Sequence, residues 1–175
     1  MDISKLVKKA QKGNDQAFLE LFQQYEESIY RIAYTYVKNK EDALDIVQDT
    51  AYQSFKTIGS LREPQYFKAW LFKIAINRSI DTYKKKQKVI LFPTDYTEHK
   101  NLRTNDEDIP LSVTLQQLLD ELDMNEKSVI LLKYYQGYTI QAISDILEMP
   151  LGTTKTILYR GLAKLRQSLE RGEIS

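Results

Sequence analysis

Residues 139–166 read TIQAISDILEMPLGTTKTILYRGLAKLR, and the spacing of their apolar positions decides what this end of the chain builds. Thr139 is placed to cap a short helix from Ile140 to Leu147, which puts Ile140, Ile143 and Leu147 on one face. Glu148-Met149-Pro150 interrupts it, and a second helix starts near Leu151 with Ile157, Leu158, Leu162 and Leu165 turned inward. Two short helices joined by three or four residues, the second one basic, make a helix-turn-helix arrangement. The second helix offers Thr153, Thr154, Lys155, Thr156, Tyr159, Arg160 and Lys164 on or beside its outer face. Small hydroxyl side chains and a long cation at a helix N-terminus suit a DNA major groove, where the free backbone N–H groups also favour phosphate. Lys155 and Arg160 are the candidates for base-edge or phosphate contact. An αα-hairpin whose charged face meets only water has the same spacing, so spacing alone leaves both readings open.

Working back from this block, the apolar spacing stays helical nearly everywhere, with no sustained alternation to argue for strands. A short helix fits Ile3 to Gln11, and Gly13-Asn14-Asp15 stops it and starts the next. From Asp15 a long helix runs to about Val37, with Phe18, Leu21, Phe22, Tyr25, Ile29, Ile32, Ala33 and Tyr36 as its stripe. Asn39 can cap a third helix, Glu41 to about Thr57, packed through Ala43, Leu44, Val47, Ala51 and Phe55. Gly59-Ser60 breaks it, and Pro64 opens a fourth helix that runs to about Lys86 and buries Phe67, Trp70, Leu71, Ile74 and Ile80. The pattern fails from Val89 to Pro110, a stretch too long and structureless for the inside of one compact domain. Four shorter helices follow, at about 111–122, 125–135, 139–147 and 151–170. The expected fold class is therefore all-α: two helical domains, 1–92 and 111–175, joined by a flexible linker at 93–110.

Charge divides the same way. Residues 1–92 carry 16 Lys and Arg against 11 Asp and Glu, residues 93–126 carry 2 against 9, and residues 127–175 carry 7 against 4. Two mildly basic blocks around an acidic middle suit two polyanion-facing modules, although a solvated acidic linker gives the same tally. With no cysteine, disulfides and thiolate metal sites are excluded. Neither an apolar signal core nor a long uncharged stretch is present, so a cytoplasmic protein without membrane insertion is expected. No phosphate-cradling glycine loop or zincin pair occurs, and the single His99 falls in the linker. An enzyme is not expected, nor is a cofactor.

The wording of the helices adds what spacing does not. Asp120-Glu121-Leu122, Leu131 to Thr139, Ala142-Ile143, Pro150 to Thr156 and Arg160 to Arg166 resemble domain four of the extracytoplasmic-function (ECF) RNA polymerase sigma factors. Asp42 to Asp49 (DALDIVQD) resembles that family's core-binding signature, and Phe67 to Asp81 (FKAWLFKIAINRSID) resembles its −10-recognition helix. The resemblance covers nearly the whole chain apart from the linker. It departs at Ile157, where the family commonly has Arg, and at Glu148, where a small turn residue is usual.

The resemblance implies a protein that binds core RNA polymerase and directs promoter-specific initiation, recognising −10 and −35 elements and aiding strand opening. Asp42, Asp45, Ile46, Val47, Gln48 and Asp49 would meet the polymerase β′ coiled coil, and the second domain would meet the β flap. The spacing itself shows that Glu41, Asp45 and Asp49, four apart, form one acidic stripe. A solvated acidic face is the competing reading. Asn77 and the loop walls Thr57, Leu61 and Arg62 would capture an unpaired −10 base, with Lys73, Arg78, Lys84 and Lys85 on the strand's phosphates. Trp70 and Phe67 read either as core or as stacking platforms. Thr153, Thr154, Lys155, Thr156, Tyr159, Arg160 and Lys164 would read the −35 duplex. The linker would thread near the RNA exit path, and an anti-sigma factor is an expected partner. The rival is a stand-alone helix-turn-helix transcriptional regulator that binds a palindromic operator without polymerase.

Overall fold

Five helices begin where the sequence supplies a side-chain acceptor for a free backbone N–H. In the computed structural model, which describes residues 2–91 and 113–171, Asp2 accepts from Ser4 N at 3.2 Å, Asn14 from Ala17 N at 3.0 Å and Asn39 from Asp42 N at 3.0 Å. Asp123 likewise accepts from Glu126 N at 2.8 Å, and Thr139 from Ala142 N at 3.1 Å. The helices are α1 (Ile3–Gln11), α2 (Asp15–Val37), α3 (Lys40–Thr57), α4 (Phe67–Leu91), α5 (Val113–Asp120), α6 (Met124–Ile130), α7 (Ile140–Leu147) and α8 (Leu151–Glu170). Short 3₁₀ turns at Ile58–Ser60 and Pro64–Tyr66 join α3 to α4. A π-helical turn, Leu131–Tyr135, continues α6. No strand occurs among the described residues.

The chain divides into two compact units, Met1–Asp106 and Glu107–Ser175. The expected linker at 93–110, His99 included, lies outside the described residues. In the first unit α2, α3 and α4 pack around Leu21, Ile29, Ile32, Ala43, Ile46, Phe67, Leu71, Phe72 and Ile76, all essentially inaccessible to solvent. Burying each larger apolar side chain stabilises the unit by about 1.5–3 kcal/mol before entropy is charged against it. α1 adds Leu6 and Val7 to this core. In the second unit Leu119, Leu122, Val129, Leu132, Ile143, Ile157 and Leu158 form the core.

Several expectations need correction. α4 begins at Phe67, after the 3₁₀ turn that Pro64 opens, and ends at Leu91 rather than near Lys86. Nothing in its lysine run breaks a helix, and the first breaker is Pro93. Leu44 and Phe55 are 44% and 48% exposed, because the inner face of α3 is Ala43, Ile46, Val47, Thr50 and Ser54. Thr50 and Ser54 escaped a reading by hydrophobicity, yet Ser54 fits the interior by returning its hydroxyl to Thr50 O at 2.6 Å. On α7, Ile146 is buried while Ile140 and Leu147 are half-buried.

Candidate functional site

The carboxylates of α3 divide into two groups. Glu41, Asp45 and Asp49 are exposed along one stripe, and Leu44, Gln48, Tyr52 and Phe55 are exposed on the same side of the helix. Asp42 lies outside that stripe, half-buried, and is ion-paired to Lys86 of α4. Burial pushes the Lys86 ammonium below the usual lysine value, against the opposing field of Glu41. The expectation that Ile46 and Val47 meet a partner fails. They are 1% and 5% exposed and belong to the core of the first unit, being on the side of α3 opposite the stripe. What α3 presents is a row of like charges edged by apolar side chains, a surface complementary to a basic and partly apolar partner.

The segment between α3 and α4 is tied down from several sides. Thr57 donates its hydroxyl to Gln53 O at 2.7 Å, Ser60 Oγ donates to Thr57 O at 2.7 Å, and Leu61 N reaches Ile58 O at 3.2 Å. Gln53 also receives Arg78 Nη2 on its side-chain oxygen at 3.2 Å, so Arg78 braces α4 against α3 while half-buried. Thr57 and Leu61 are half-buried, and Arg62 and Tyr66 stand exposed beside them. On α4, Asn77, Lys84 and Lys85 are exposed and Lys73 is half-buried. Phe67 is fully buried and Trp70 leans on it with ring centroids 5.9 Å apart, so Phe67 is core and Trp70 is half-engaged with it.

Gln11, at the end of α1, was invisible to sequence reasoning. Its Nε2 donates to Ile58 O at 3.0 Å and to Leu61 O at 2.8 Å. No periodicity or local motif signals a bond across some fifty residues of chain.

On α8 the seven expected DNA-facing residues separate. Thr153, Lys155, Thr156 and Tyr159 are exposed, Tyr159 at 62%. Thr154 is fully buried and donates its hydroxyl to Pro150 O at 3.0 Å, so its place on the outer face is a correction: it belongs to the helix start. Arg160 and Lys164 are turned toward α6. Arg160 Nε donates to Glu126 Oε2 at 2.6 Å, Lys164 Nζ to Glu126 Oε1 at 2.8 Å, and Arg160 Nη2 to Asp123 Oδ2 at 3.3 Å. Glu126 and Asp123 also close a reciprocal capping box at the start of α6. Burial pushes the Glu126 carboxyl up, but Lys164, the Asp123 backbone and Arg160 together hold it below the usual glutamate value. Gly161 lies where α8 meets α6: a Cβ there would fall 2.7 Å from Ile130 Cδ1, so the tip of that side chain would have to shift. Glu148 ends α7 at φ +55°, in the left-handed region, which sets the turn between the two helices.

Comparisons with known proteins accord with this division. The Sigma-70 region 2 family model matches residues 21–89, and the Sigma-70, region 4 model matches residues 112–165. The RNA polymerase sigma factor SigV of Bacillus subtilis (strain 168) is 32% identical over 151 residues, covering 86% of this chain and 90% of the relative. The ECF RNA polymerase sigma factor SigW of the same organism is 30% identical over 182 residues, covering 97% of each. Among solved structures, CnrH in complex with the cytosolic domain of CnrY is similar in fold, with a TM-score of 0.72 at 22% identity over 97% of each chain. The sigma factor RpoE, in complex with the anti-sigma factor NepR from Bartonella quintana, has a TM-score of 0.68 at 19% identity, covering 87% of this chain and 96% of that one.

Proposed function

Because the chain belongs to the extracytoplasmic-function RNA polymerase sigma factor family, we propose that its first unit grips core polymerase and an opened −10 strand while its second unit reads a −35 duplex. The carrying observation is that one small unit presents two faces of opposite character. The α3 stripe Glu41, Asp45, Asp49 is exposed with Gln48 beside it, and α4 exposes Asn77, Lys84 and Lys85. The acidic stripe suits a basic coiled coil such as that of β′, and the second unit suits the β flap. The amide of Asn77 and the loop from Thr57 to Arg62 suit capture of an unpaired base. Lysines there neutralise the strand's phosphates. The first turn of α8, with Thr153, Lys155 and Thr156, supports duplex reading in the major groove.

Strand opening needs no reacting group on this chain. Binding an unpaired base shifts the duplex equilibrium toward the melted state by the free energy of that binding. Weak binding to free DNA follows, since polymerase brings both units to one promoter and supplies the effective concentration. The two solved neighbours are described with CnrY and with an anti-sigma factor, which supports an anti-sigma partner here as well.

The test is reconstitution. The purified chain is mixed with core RNA polymerase, passed over a sizing column, and assayed by run-off transcription on a library of randomised promoter DNA. Co-elution and transcripts from asymmetric two-element promoters are expected. Binding of a palindromic site without polymerase would instead establish the stand-alone regulator, and failure to join the core enzyme would end the proposal.

A further inference from the structure

We propose that Gln11 of α1 is a positioning residue that sets base selectivity at the −10 element by holding the loop between α3 and α4 in its capturing shape. The inference rests on the reading of that loop and Asn77 as the −10 pocket. Its basis is one side chain bridging two carbonyls. Gln11 Nε2 donates to Ile58 O at 3.0 Å and to Leu61 O at 2.8 Å, the first and last residues of the four-residue loop core. Carbonyl oxygens only accept, so it must be the NH₂ end of the amide that faces them, and both of its protons are used.

The loop's other hydrogen bonds are local. Leu61 N bonds Ile58 O, Ser60 Oγ bonds Thr57 O, and Thr57 Oγ1 bonds Gln53 O. They fix the loop's curvature, and Ile58, 5% exposed, roots its first residue in the core. Gln11 adds a side-chain tie that reaches both ends of this loop core, from the end of a helix anchored by Leu6, Val7 and Ala10 in the core. Leu61 itself is half-buried at the mouth of the loop, with Arg62 exposed next to it. Moving the Leu61 carbonyl moves both side chains that would wall the pocket. A recognition site holds its selectivity only while its walls are preorganised, and free loops lose it to alternative shapes. α1 precedes the residues matched by the region 2 model, which begins at residue 21.

The experiment uses full-length protein in holoenzyme with core RNA polymerase. Wild-type protein first selects promoters from DNA randomised across the −10 region, and the selected sequence then carries every single-base change. Open-complex formation is measured by permanganate reactivity for wild type, Gln11→Glu, Gln11→Leu and Gln11→Lys. The Glu variant keeps the shape but removes both donors; the Lys variant keeps donors on a chain one atom longer. Base preference at the captured position should fall about tenfold in Gln11→Glu and Gln11→Leu, the scale of one or two lost hydrogen bonds. Core affinity and −35 preference should stay within about twofold, and Gln11→Lys should retain most of the preference. Should Gln11→Glu unfold, which thermal melting reports, the uncharged Leu variant decides. Unchanged selectivity in both donor-free variants overturns the assignment, as does equal loss in the Lys variant. Wild-type protein that yields no polymerase-dependent transcript defeats the parent reading instead, and this inference with it.

Discussion

Glu126 of α6 and Arg160 of α8, 34 residues apart in sequence, are joined at 2.6 Å, with the carboxylate fully buried and the guanidinium half-exposed at its rim. Lys164 closes the other oxygen of the same carboxylate. Two of the cations expected on DNA, Arg160 and Lys164, are thereby engaged in holding α8 against α6. Thr153, Lys155, Thr156 and Tyr159 stay exposed on α8.

Acid should loosen the second unit through this carboxylate. Glu126 titrates below its usual value in the folded chain, so its stabilising effect is complete above the ordinary glutamate pKa of about 4.3 and is lost as pH falls through the lower folded value. Glu126→Gln should lower the midpoint of thermal unfolding at pH 7 by roughly 5 °C, allowing for the solvent around its partners. Stability measured from pH 7 down to pH 3 should fall more steeply in wild type than in the variant. Parallel curves would remove Glu126 from this role.

Arg160 and Lys155 should separate in a binding assay. Lys155→Ala should reduce the slope of log affinity against log salt, for holoenzyme on its selected promoter, by about one, with the melting point unchanged. Arg160→Ala should chiefly lower the melting point, because Asp123 loses its partner on α8 and Glu126 keeps only Lys164 there. An Arg160 variant that melts like wild type and loses salt dependence would place this side chain on phosphate.

The two sides of α3 predict opposite phenotypes. Asp45→Arg, on the exposed stripe, should weaken core-polymerase association by tenfold or more on the scale of a reversed charge at an interface, roughly 1.4 kcal/mol or above, with native circular dichroism. Ile46→Ala, in the core, should destabilise the unit by about 2–4 kcal/mol, and any loss of association should follow unfolding. Equal core affinity of Asp45→Arg and wild type would dismiss the stripe.

Asn77→Ala should impair promoter opening more than core binding, since its side chain is exposed on α4. Permanganate footprinting beside sizing-column association gives the comparison. A larger loss in association than in opening would reverse the assignment.

Glu148 occupies a left-handed conformation that costs a side-chain-bearing residue about 1 kcal/mol. Glu148→Gly should therefore raise the second unit's unfolding midpoint by a few degrees and leave −35 preference unchanged. A fall in the midpoint would mean that the glutamate's own interactions outweigh the strain.

Much of the architecture was legible in the residues because helix signals are local. A cap, an apolar period and a breaker all act within a few residues, so α1 to α3 and the helix-turn-helix pair could be placed from spacing. Errors came where a helix face is chosen by what lies opposite. Thr50 and Ser54 face inward beside Ile46 and Val47 while Leu44 and Phe55 are exposed, and hydrophobicity alone ranks the two hydroxyl residues and these two apolar ones the other way round.

The functional surfaces show the same boundary. Which residue types stand on α3, α4 and α8 was in the sequence, and the family followed from their wording. Only tertiary structure decided which charges remain available outside. Lys86 engages Asp42, Glu126 engages Arg160 and Lys164, and Gln11 reaches across the first unit to the α3–α4 loop. Each is a bond between groups distant in the chain, whose strength depends on burial and separation, and a linear sequence specifies neither until the helices have packed.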